Sequence, residues 1–167
     1  ANERVRRNSR RVLAILDDFM TYIKASARQI DLTVKLFDPR ASLSEWCAQI
    51  QSTCAEKRLD LHVTTTEAVP SRLMGDAPVI GRAVLPLLWN AVSFTSEGAV
   101  WVESDWSDAQ NWSIHIRDSG KGIPVDHKPH IFEPFWRGEE RPQVASAGAG
   151  LGLAVSLSLV QLMKGYR

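Results

Sequence analysis

Cysteine is scarce in this sequence, and the two cysteines present follow no pattern typical of a metal site. Cys47 and Cys54 stand seven residues apart, so they share one face of a predicted helix. No histidine or further cysteine accompanies them at metal-ligand spacing. Both are therefore expected to be buried, reduced thiols of a cytoplasmic protein.

Long apolar runs, targeting segments and an excess of charge of one sign are also missing. No run approaches the length that crosses a bilayer and no signal peptide opens the chain, so no membrane segment is expected. A net charge of +1 argues against a dedicated nucleic-acid binder. The four histidines, at positions 62, 115, 127 and 130, lack the spacing of a metal site or a catalytic triad. With 167 residues, 44% of them hydrophobic, the chain is long enough for one domain with a hydrophobic core and an appendage.

Helical and alternating patterns follow one another along the chain and predict an α/β fold. A connector over 31–40 precedes the second helix, for which Ser42 or Ser44 is the expected N-cap, and residues 70–75 form a turn with a short strand. The predicted elements are helices over 5–30, 42–57, 76–94 and 151–163, and strands over 59–66, 99–105 and 112–117.

The first predicted helix carries an apolar stripe close to a heptad repeat. Such a stripe needs a covering partner, which is either the rest of the domain or a second helix. Self-association into a helical bundle is favoured over packing on its own domain.

Asp118 follows an alternating strand and precedes two glycines, Gly120 and Gly122. A carboxylate fixed at a strand end can accept a hydrogen bond from an amino group of a ligand, and glycines allow the backbone to approach that ligand closely. Taken alone, the same residues are typical of a turn between strands. The neighbouring motifs decide between these interpretations.

A second motif lies at the start of the last helix, where Gly150, Leu151 and Gly152 precede an apolar helical pattern. The unpaired N–H groups and partial positive charge of a helix N-terminus suit phosphates. A dinucleotide fingerprint is disfavoured because Leu153 occupies the third glycine position, and the chain has no Walker-type Gly-Lys-Ser/Thr. Asn90, in an apolar helix, is a suitable oxygen ligand for Mg²⁺ that is held mainly by a triphosphate.

Four segments, 87–91, 118–122, 131–137 and 148–153, stand in the order of the N, G1, F and G2 boxes of the sensor histidine kinases. The chain therefore resembles the ATP-binding catalytic domain of that family. The resemblance implies a two-layer α/β sandwich of the GHKL type over 34–167, apparently without its C-terminal strands. Residues 1–33 resemble the second helix of the family's dimerisation hairpin, with Leu16-Asp17-Asp18-Phe19 matching a common pattern.

The resemblance also implies roles for individual residues, with ATP and Mg²⁺ as the cofactors. Asn90 would hold the metal, Asp118 would bind the adenine amino group, and Phe132 and Phe135 would pack the base of a lid over 138–148. The other residues expected to line the nucleotide site are Gly120, Gly122, Ile123, Arg137, Gly148, Gly150, Leu151 and Gly152.

The implied activity is that of an ATP:protein-histidine phosphotransferase of a two-component system, acting as a homodimer that serves a response regulator receiver domain. The chain is expected to be cytoplasmic, and its parent protein can be membrane-anchored. No phosphoacceptor is expected in this chain, since no histidine precedes residue 62. Two departures matter: Pro86 stands where relatives have Asn or a Glu base, and Ser93 where lysine is common. They leave open a degenerate, non-catalytic nucleotide-binding or dimerisation module. The segment 131–135 disfavours a serine kinase of the anti-sigma type.

Overall fold

A computed structural model describes residues 2–107, 111–138 and 149–164, which form four helices and five strands in two layers. The α/β class expected from the sequence is confirmed. In chain order the elements are α1 (Asn2–Ser26), β1 (Lys35–Phe37), α2 (Pro39–Lys57), β2 (Asp60–Thr65), β3 (Leu73–Gly75), α3 (Ala77–Phe94), β4 (Ala99–Trp106), β5 (Trp112–Asp118) and α4 (Gly152–Lys164).

Aspartates cap the N-termini of two of these helices, each followed by a proline in the first helical turn. Asp38 accepts hydrogen bonds from the backbone N–H groups of Arg40 and Ala41, so the prediction of Ser42 or Ser44 as the cap of α2 was wrong. Pro39 fits directly after this cap because its φ is preset for a helix and its missing N–H needs no partner. Asp76 caps α3 by accepting from the N–H of Val79, and the helix begins at Ala77, one residue after the predicted start at 76.

Two helices end at an arginine in the left-handed conformation, where glycine is more usual. Arg28 has φ +54° and Arg58 has φ +58°. After α1, the N–H of Gln29 bonds to the carbonyl of Lys24 and that of Arg28 to Ala25, which is the Schellman pattern. This closure ends α1 at Ser26, four residues before the predicted end at Ile30.

The larger sheet has the order β2-β4-β5, with β2 parallel to β4 and β4 antiparallel to β5. Val102 lies opposite both Val63 and Ile116 in this register. A second sheet pairs β1 with β3 antiparallel. The sequence placed residues 35–37 in a connector, and the strand was missed because it has only three residues.

The main core lies between α2, α3 and one face of the larger sheet. All five residues predicted to face inward from α2 are buried: Leu43, Trp46, Cys47, Ile50 and Cys54. Both cysteines are free thiols, as expected. Burial, and then the neighbouring Cys54, raise the pKa of the Cys47 thiol to about 11, so this thiol is neutral and unreactive at pH 7.

A second apolar cluster joins α1 to α3 and α4, with Ala25, Leu151 and Leu159 buried at its centre. Arg82 of α3 reinforces the contact by donating through Nη2 to Asp17 Oδ2 at 2.6 Å and to Thr21 Oγ1 at 2.5 Å. One face of α1 thus packs on its own domain. The opposite face remains uncovered.

By length and composition α3 could cross a membrane, which the sequence analysis did not foresee. In this fold α3 instead packs against α2, α4 and the larger sheet, with Leu88 and Val92 fully buried. Its apolar character is accounted for by its position as a core helix.

Candidate functional site

The C-terminal half of α3 forms the floor of the candidate site. Pro86, Asn90 and Phe94 follow one another at intervals of four residues and so lie along one side of the helix. Eight residues of helix span about 12 Å, and Asn90 stands midway. Asn90 is half-buried, and its amide makes no hydrogen bond to the part of the chain that the structure describes. An amide in this position retains its capacity to bind a ligand.

The Asp118 loop lies at the C-terminal end of this floor. Hydrogen bonds fix the loop to the start of β4: the N–H of Ser119 donates to the carbonyl of Ala99 at 3.0 Å, and Ser119 Oγ accepts from the N–H of Ala99 at 2.9 Å. Asp118 itself is exposed at the end of β5, and its Oδ1 accepts from the N–H of Gly120 at 2.9 Å. Its second carboxylate oxygen makes no hydrogen bond to a described residue and can serve a ligand.

Gly120 and Gly122 are needed for two different reasons. A Cβ on Gly120 would come within 2.6 Å of the carbonyl oxygen of Phe94, so only glycine lets the loop rest on the end of α3. Gly122 has φ +73°, which favours glycine, but a Cβ there would meet nothing within 4 Å. The expected close approach to a ligand therefore applies to the open side of Gly122, where Ile123 is also exposed.

At the other end of the floor, the segment containing Phe135, Trp136 and Arg137 packs against the turn at Gly150. The N–H of Phe135 donates to the carbonyl of Gly150 at 2.9 Å. Gly150 has φ +78°, and a Cβ there would lie 2.6 Å from the carbonyl oxygen of Trp136 and 3.1 Å from Arg137 Cγ. Arg137 is thus held beside the glycine turn, where its exposed guanidinium can reach a bound anion.

The N-terminus of α4 begins at this turn. Gly152 is its first residue, and a Cβ there would lie 3.1 Å from Pro86 Cβ, so the helix start rests on the N-terminal end of the floor. The side chain of Leu151 is fully buried, so only its backbone can contribute to a site. The first N–H groups of α4 have no partner within the helix and carry the positive end of its dipole.

The remaining predicted residues are placed as follows. Gly148 and most of the predicted lid, residues 139–148, lie outside the described residues. Phe132 is 43% exposed, and because most of the lid lies outside the described residues, its packing at the lid base stays a prediction. Phe135 is 54% exposed and packs its ring on Phe19 of α1, with the ring centres 5.7 Å apart.

Three of the four histidines contact tryptophan rings. His127 and His130 both contact the ring of Trp136, and His130 Nδ1 lies 2.8 Å from Glu133 Oε1. Across the described ranges, no three His, Cys, Asp or Glu side chains converge in a way that would hold a metal ion. A metal in this site would therefore have to arrive with a ligand that supplies most of its oxygens.

Two contacts beside the candidate site were missed in the sequence. Lys57, in the last turn of α2, donates hydrogen bonds from its ammonium group to backbone carbonyls at the C-terminus of α3. The ring contact of Phe135 with Phe19 joins α1 to the glycine turn. Neither has a sequence signal, because both depend on elements that are distant in the chain.

The family whose model matches residues 75–167 is described as histidine kinase-, DNA gyrase B- and HSP90-like ATPases. This match covers more than half of the chain, so the chain belongs to that family. The resemblance to sensor histidine kinases is likewise confirmed.

Similar curated proteins are sensor kinases of several organisms. Sensor histidine kinase RcsC of Escherichia coli is 30% identical over 92% of this chain, and the sensor protein TorS of E. coli is 32% identical over 92%. The chain spans 16% of the length of each of these relatives.

Solved structures of the same kind confirm the GHKL fold. Full-length ShkA in complex with AMPPNP superposes with a TM-score of 0.78 at 25% identity, covering 92% of this chain and 31% of ShkA. The Acinetobacter baumannii histidine kinase AdeS gives a TM-score of 0.74 at 24% identity, covering 93% of this chain and 70% of AdeS.

Proposed function

We propose that this chain binds ATP·Mg²⁺ along the floor formed by α3, with the base at the Asp118 loop and the phosphates at the N-terminus of α4. The observation that carries the proposal is the placement of these two features at opposite ends of one helix face, about 12 Å apart, with Asn90 between them. An aligned base site, metal ligand and anion site match the adenine, the ion and the phosphates of ATP·Mg²⁺. The presence of AMPPNP in ShkA supports the same ligand class.

Each end of the floor has a chemical task. At the base end, the Asp118 carboxylate accepts from the adenine amino group, while Gly120, Gly122 and Ile123 border the ring. At the phosphate end, the residues proposed to bind are Arg137, Gly148, Gly150, Leu151 and Gly152, the last four through their backbone. The helix dipole of α4 and the Arg137 guanidinium stabilise the negative charge there.

Asn90 is the proposed protein ligand of Mg²⁺. The residues present fit such an ion, since a half-buried amide oxygen without a described partner stands between the base and phosphate ends. When bound, the ion would neutralise the charge that builds up on the phosphates during transfer. The protein contributes the position of one oxygen, and the triphosphate contributes most of the others.

The chain is proposed to be a cytoplasmic part of a histidine kinase, whose parent protein can be anchored in a membrane, with residues 34–167 as the ATP-binding domain. It would transfer the γ-phosphate to a histidine on a dimerisation hairpin, for relay to a response regulator receiver domain. Catalysis of this type depends on positioning and charge neutralisation. The competing proposal, a non-catalytic module, is motivated by Pro86 and Ser93. It predicts nucleotide binding without phosphoryl transfer to a supplied hairpin.

Replacing Asn90 tests the metal role. We expect Asn90→Ala to weaken ATP binding about tenfold, or 1.4 kcal/mol, when Mg²⁺ is present, and to change it little when the metal is chelated. The reason is that the amide acts on the nucleotide through the ion. Isothermal calorimetry with and without EDTA measures both affinities.

The exposed Asn111→Ala provides the matched control, because Asn111 lies at the far end of β5. It should leave both affinities at the wild-type values. Equal losses in Asn90→Ala with and without Mg²⁺ would show that Asn90 does not act through the metal.

Residues 1–33 are proposed to be part of a dimerisation hairpin, and α1 is proposed to mediate a homodimer. The support is its uncovered face, where six apolar side chains are 40–65% exposed: Val5, Val12, Leu13, Leu16, Met20 and Ile23. An uncovered stripe of this length on a helix is typical of an interface.

Light scattering should therefore show a dimer that forms with rising concentration and is lost in the double variant Leu16→Glu/Ile23→Glu. Deleting α1 is a poorer test, because it also removes Phe19, Tyr22 and Ala25 from the second apolar cluster. Arg10→Glu changes charge off the stripe and should leave the dimer intact. A wild-type protein that stays monomeric at high concentration would contradict the proposal.

A further inference from the structure

The last carbonyl groups of α3 need partners from outside the helix. A helix leaves its final four carbonyls without N–H partners, and α3 has no basic side chain in its own last turn to approach them. The Oγ1 of the fully buried Thr95 donates to the carbonyl of Ala91 at 2.7 Å. Of the remaining three, the carbonyls of Val92 and Ser93 find a partner on α2.

Lys57 supplies the missing donors from α2. Its Nζ lies 2.6 Å from the carbonyl oxygen of Val92, 2.5 Å from that of Thr95 and 3.4 Å from that of Ser93. A cation at a helix C-terminus is stabilising, and bonds from an ammonium group are stronger than those from a neutral donor. The Schellman closure at Arg58 ends α2 one residue later, so the base of this side chain is itself fixed.

The end of α3 is also the surface on which the Asp118 loop rests. Gly120 lies so close to the carbonyl of Phe94 that a Cβ would meet it at 2.6 Å, and its N–H bonds to Asp118 Oδ1. Phe94 lies between Ser93 and Thr95 in the chain. Lys57 donates hydrogen bonds to the carbonyls of these two residues and of Val92. A shift of this backbone would therefore move Gly120 and, through it, the Asp118 carboxylate.

We propose that Lys57 is a positioning residue for adenine binding: by holding the C-terminus of α3, it sets the place of the Asp118 loop. This role rests on the proposed function, because it requires the Asp118 loop to bind the base. Lys57 does not touch the nucleotide in this account. Its effect is confined to the base end of the site.

Because the effect is limited to the base end, a positioning role of Lys57 can be distinguished from a direct attraction between its charge and the phosphates. A lysine that acts on the phosphates would raise the affinity for ATP and leave the affinity for adenosine unchanged. Its effect would also become smaller in high salt. A lysine acting through the Asp118 loop changes the binding of adenosine and ATP by the same factor. The comparison of the two ligands therefore decides between the mechanisms.

The test is calorimetric titration of adenosine and ATP·Mg²⁺ into wild type, Lys57→Met and Lys57→Arg, at a temperature where far-UV circular dichroism shows each protein folded. Methionine keeps the aliphatic stem and removes the donors. We expect Lys57→Met to lose about fivefold in affinity for both ligands, a fraction of what a full charge-assisted bond contributes. Lys57→Arg should restore most of the loss because it returns charged donors to the carbonyls.

Lys35→Met, on the exposed side of β1, is the matched control and should bind as wild type does. Should Lys57→Met fail to fold, Lys57→Gln retains an amide donor and is expected to show a smaller loss, again equal for both ligands. Unchanged affinities in a folded Lys57→Met or Lys57→Gln would overturn the positioning role, even if the melting temperature falls. A loss for ATP alone would also overturn it.

Failure of the underlying function gives a different result. A folded wild-type protein that binds neither adenosine nor ATP overturns the nucleotide site and this role with it. Wild-type binding together with unchanged binding by Lys57→Met overturns the role of Lys57 alone.

Discussion

Asp118→Asn is expected to lower the affinity for ATP about tenfold to a hundredfold, which corresponds to about 1.5–3 kcal/mol for a lost charge-assisted hydrogen bond. Asparagine keeps an oxygen that can accept from the N–H of Gly120, so the loop remains supported. Its other atom is an amide nitrogen, which donates and so opposes the adenine amino group. Calorimetry with ATP measures the loss.

Inosine triphosphate makes this test specific, since it carries a carbonyl oxygen where ATP carries the amino group. The asparagine amide can donate to that oxygen, so the preference for ATP over inosine triphosphate should shrink or reverse. Asp126→Asn, in the exposed turn after the loop, is the control and should bind ATP normally. An Asp118→Asn protein with wild-type affinity for ATP would mean that the carboxylate serves only the loop.

The second large effect is expected for Gly150→Ala, which should lower the free energy of unfolding by about 3 kcal/mol. Alanine at φ +78° is strained, and its Cβ would also lie 2.6 Å from the carbonyl oxygen of Trp136, a backbone atom that cannot rotate away. The segment holding Arg137 must then leave the glycine turn. Urea unfolding followed by circular dichroism measures the change, and ATP affinity should fall with it.

Gly122→Ala is the matched control, because the substitution is the same and φ is +73°, but no atom lies within 4 Å of the new Cβ. It should cost only the backbone strain, about 1 kcal/mol. Equal costs at the two positions would show that strain alone decides both. In that case the contact between Gly150 and Trp136 would not support the site.

The local geometry of the candidate site could be predicted largely from sequence, because it depends on residue type and on the order of neighbouring residues. An alternating strand that ends in Asp118, a glycine pair, and a glycine turn opening an apolar helix each predict a local geometry that needs no distant partner. The inward face of α2 was predicted for the same reason. Helical periodicity alone placed its five buried residues.

Features that depend on tertiary contacts, or on a residue type that is uncommon at its position in a helix end, could not be predicted. The cap of α2 was assigned to serines because serine is a common cap, whereas Asp38 followed by Pro39 starts the helix earlier and satisfies the N–H groups of Arg40 and Ala41. The helix ends at Arg28 and Arg58 use a left-handed conformation that arginine seldom adopts. The contact of Lys57 with α3 joins residues 35 to 38 positions apart, beyond any local pattern.

Phe135 belongs at once to the glycine turn and to the contact with α1, since its N–H bonds to Gly150 while its ring lies on Phe19. Its φ of +65° is a strained value for a bulky residue, so its conformation depends on both neighbours. Thermodynamic linkage then makes the two contacts reciprocal. If a bound nucleotide favours one conformation of residue 135, it favours the docked or undocked position of α1 by the same coupling free energy. Undocking of α1 would then alter nucleotide affinity by the same factor with which the nucleotide alters the docking of α1.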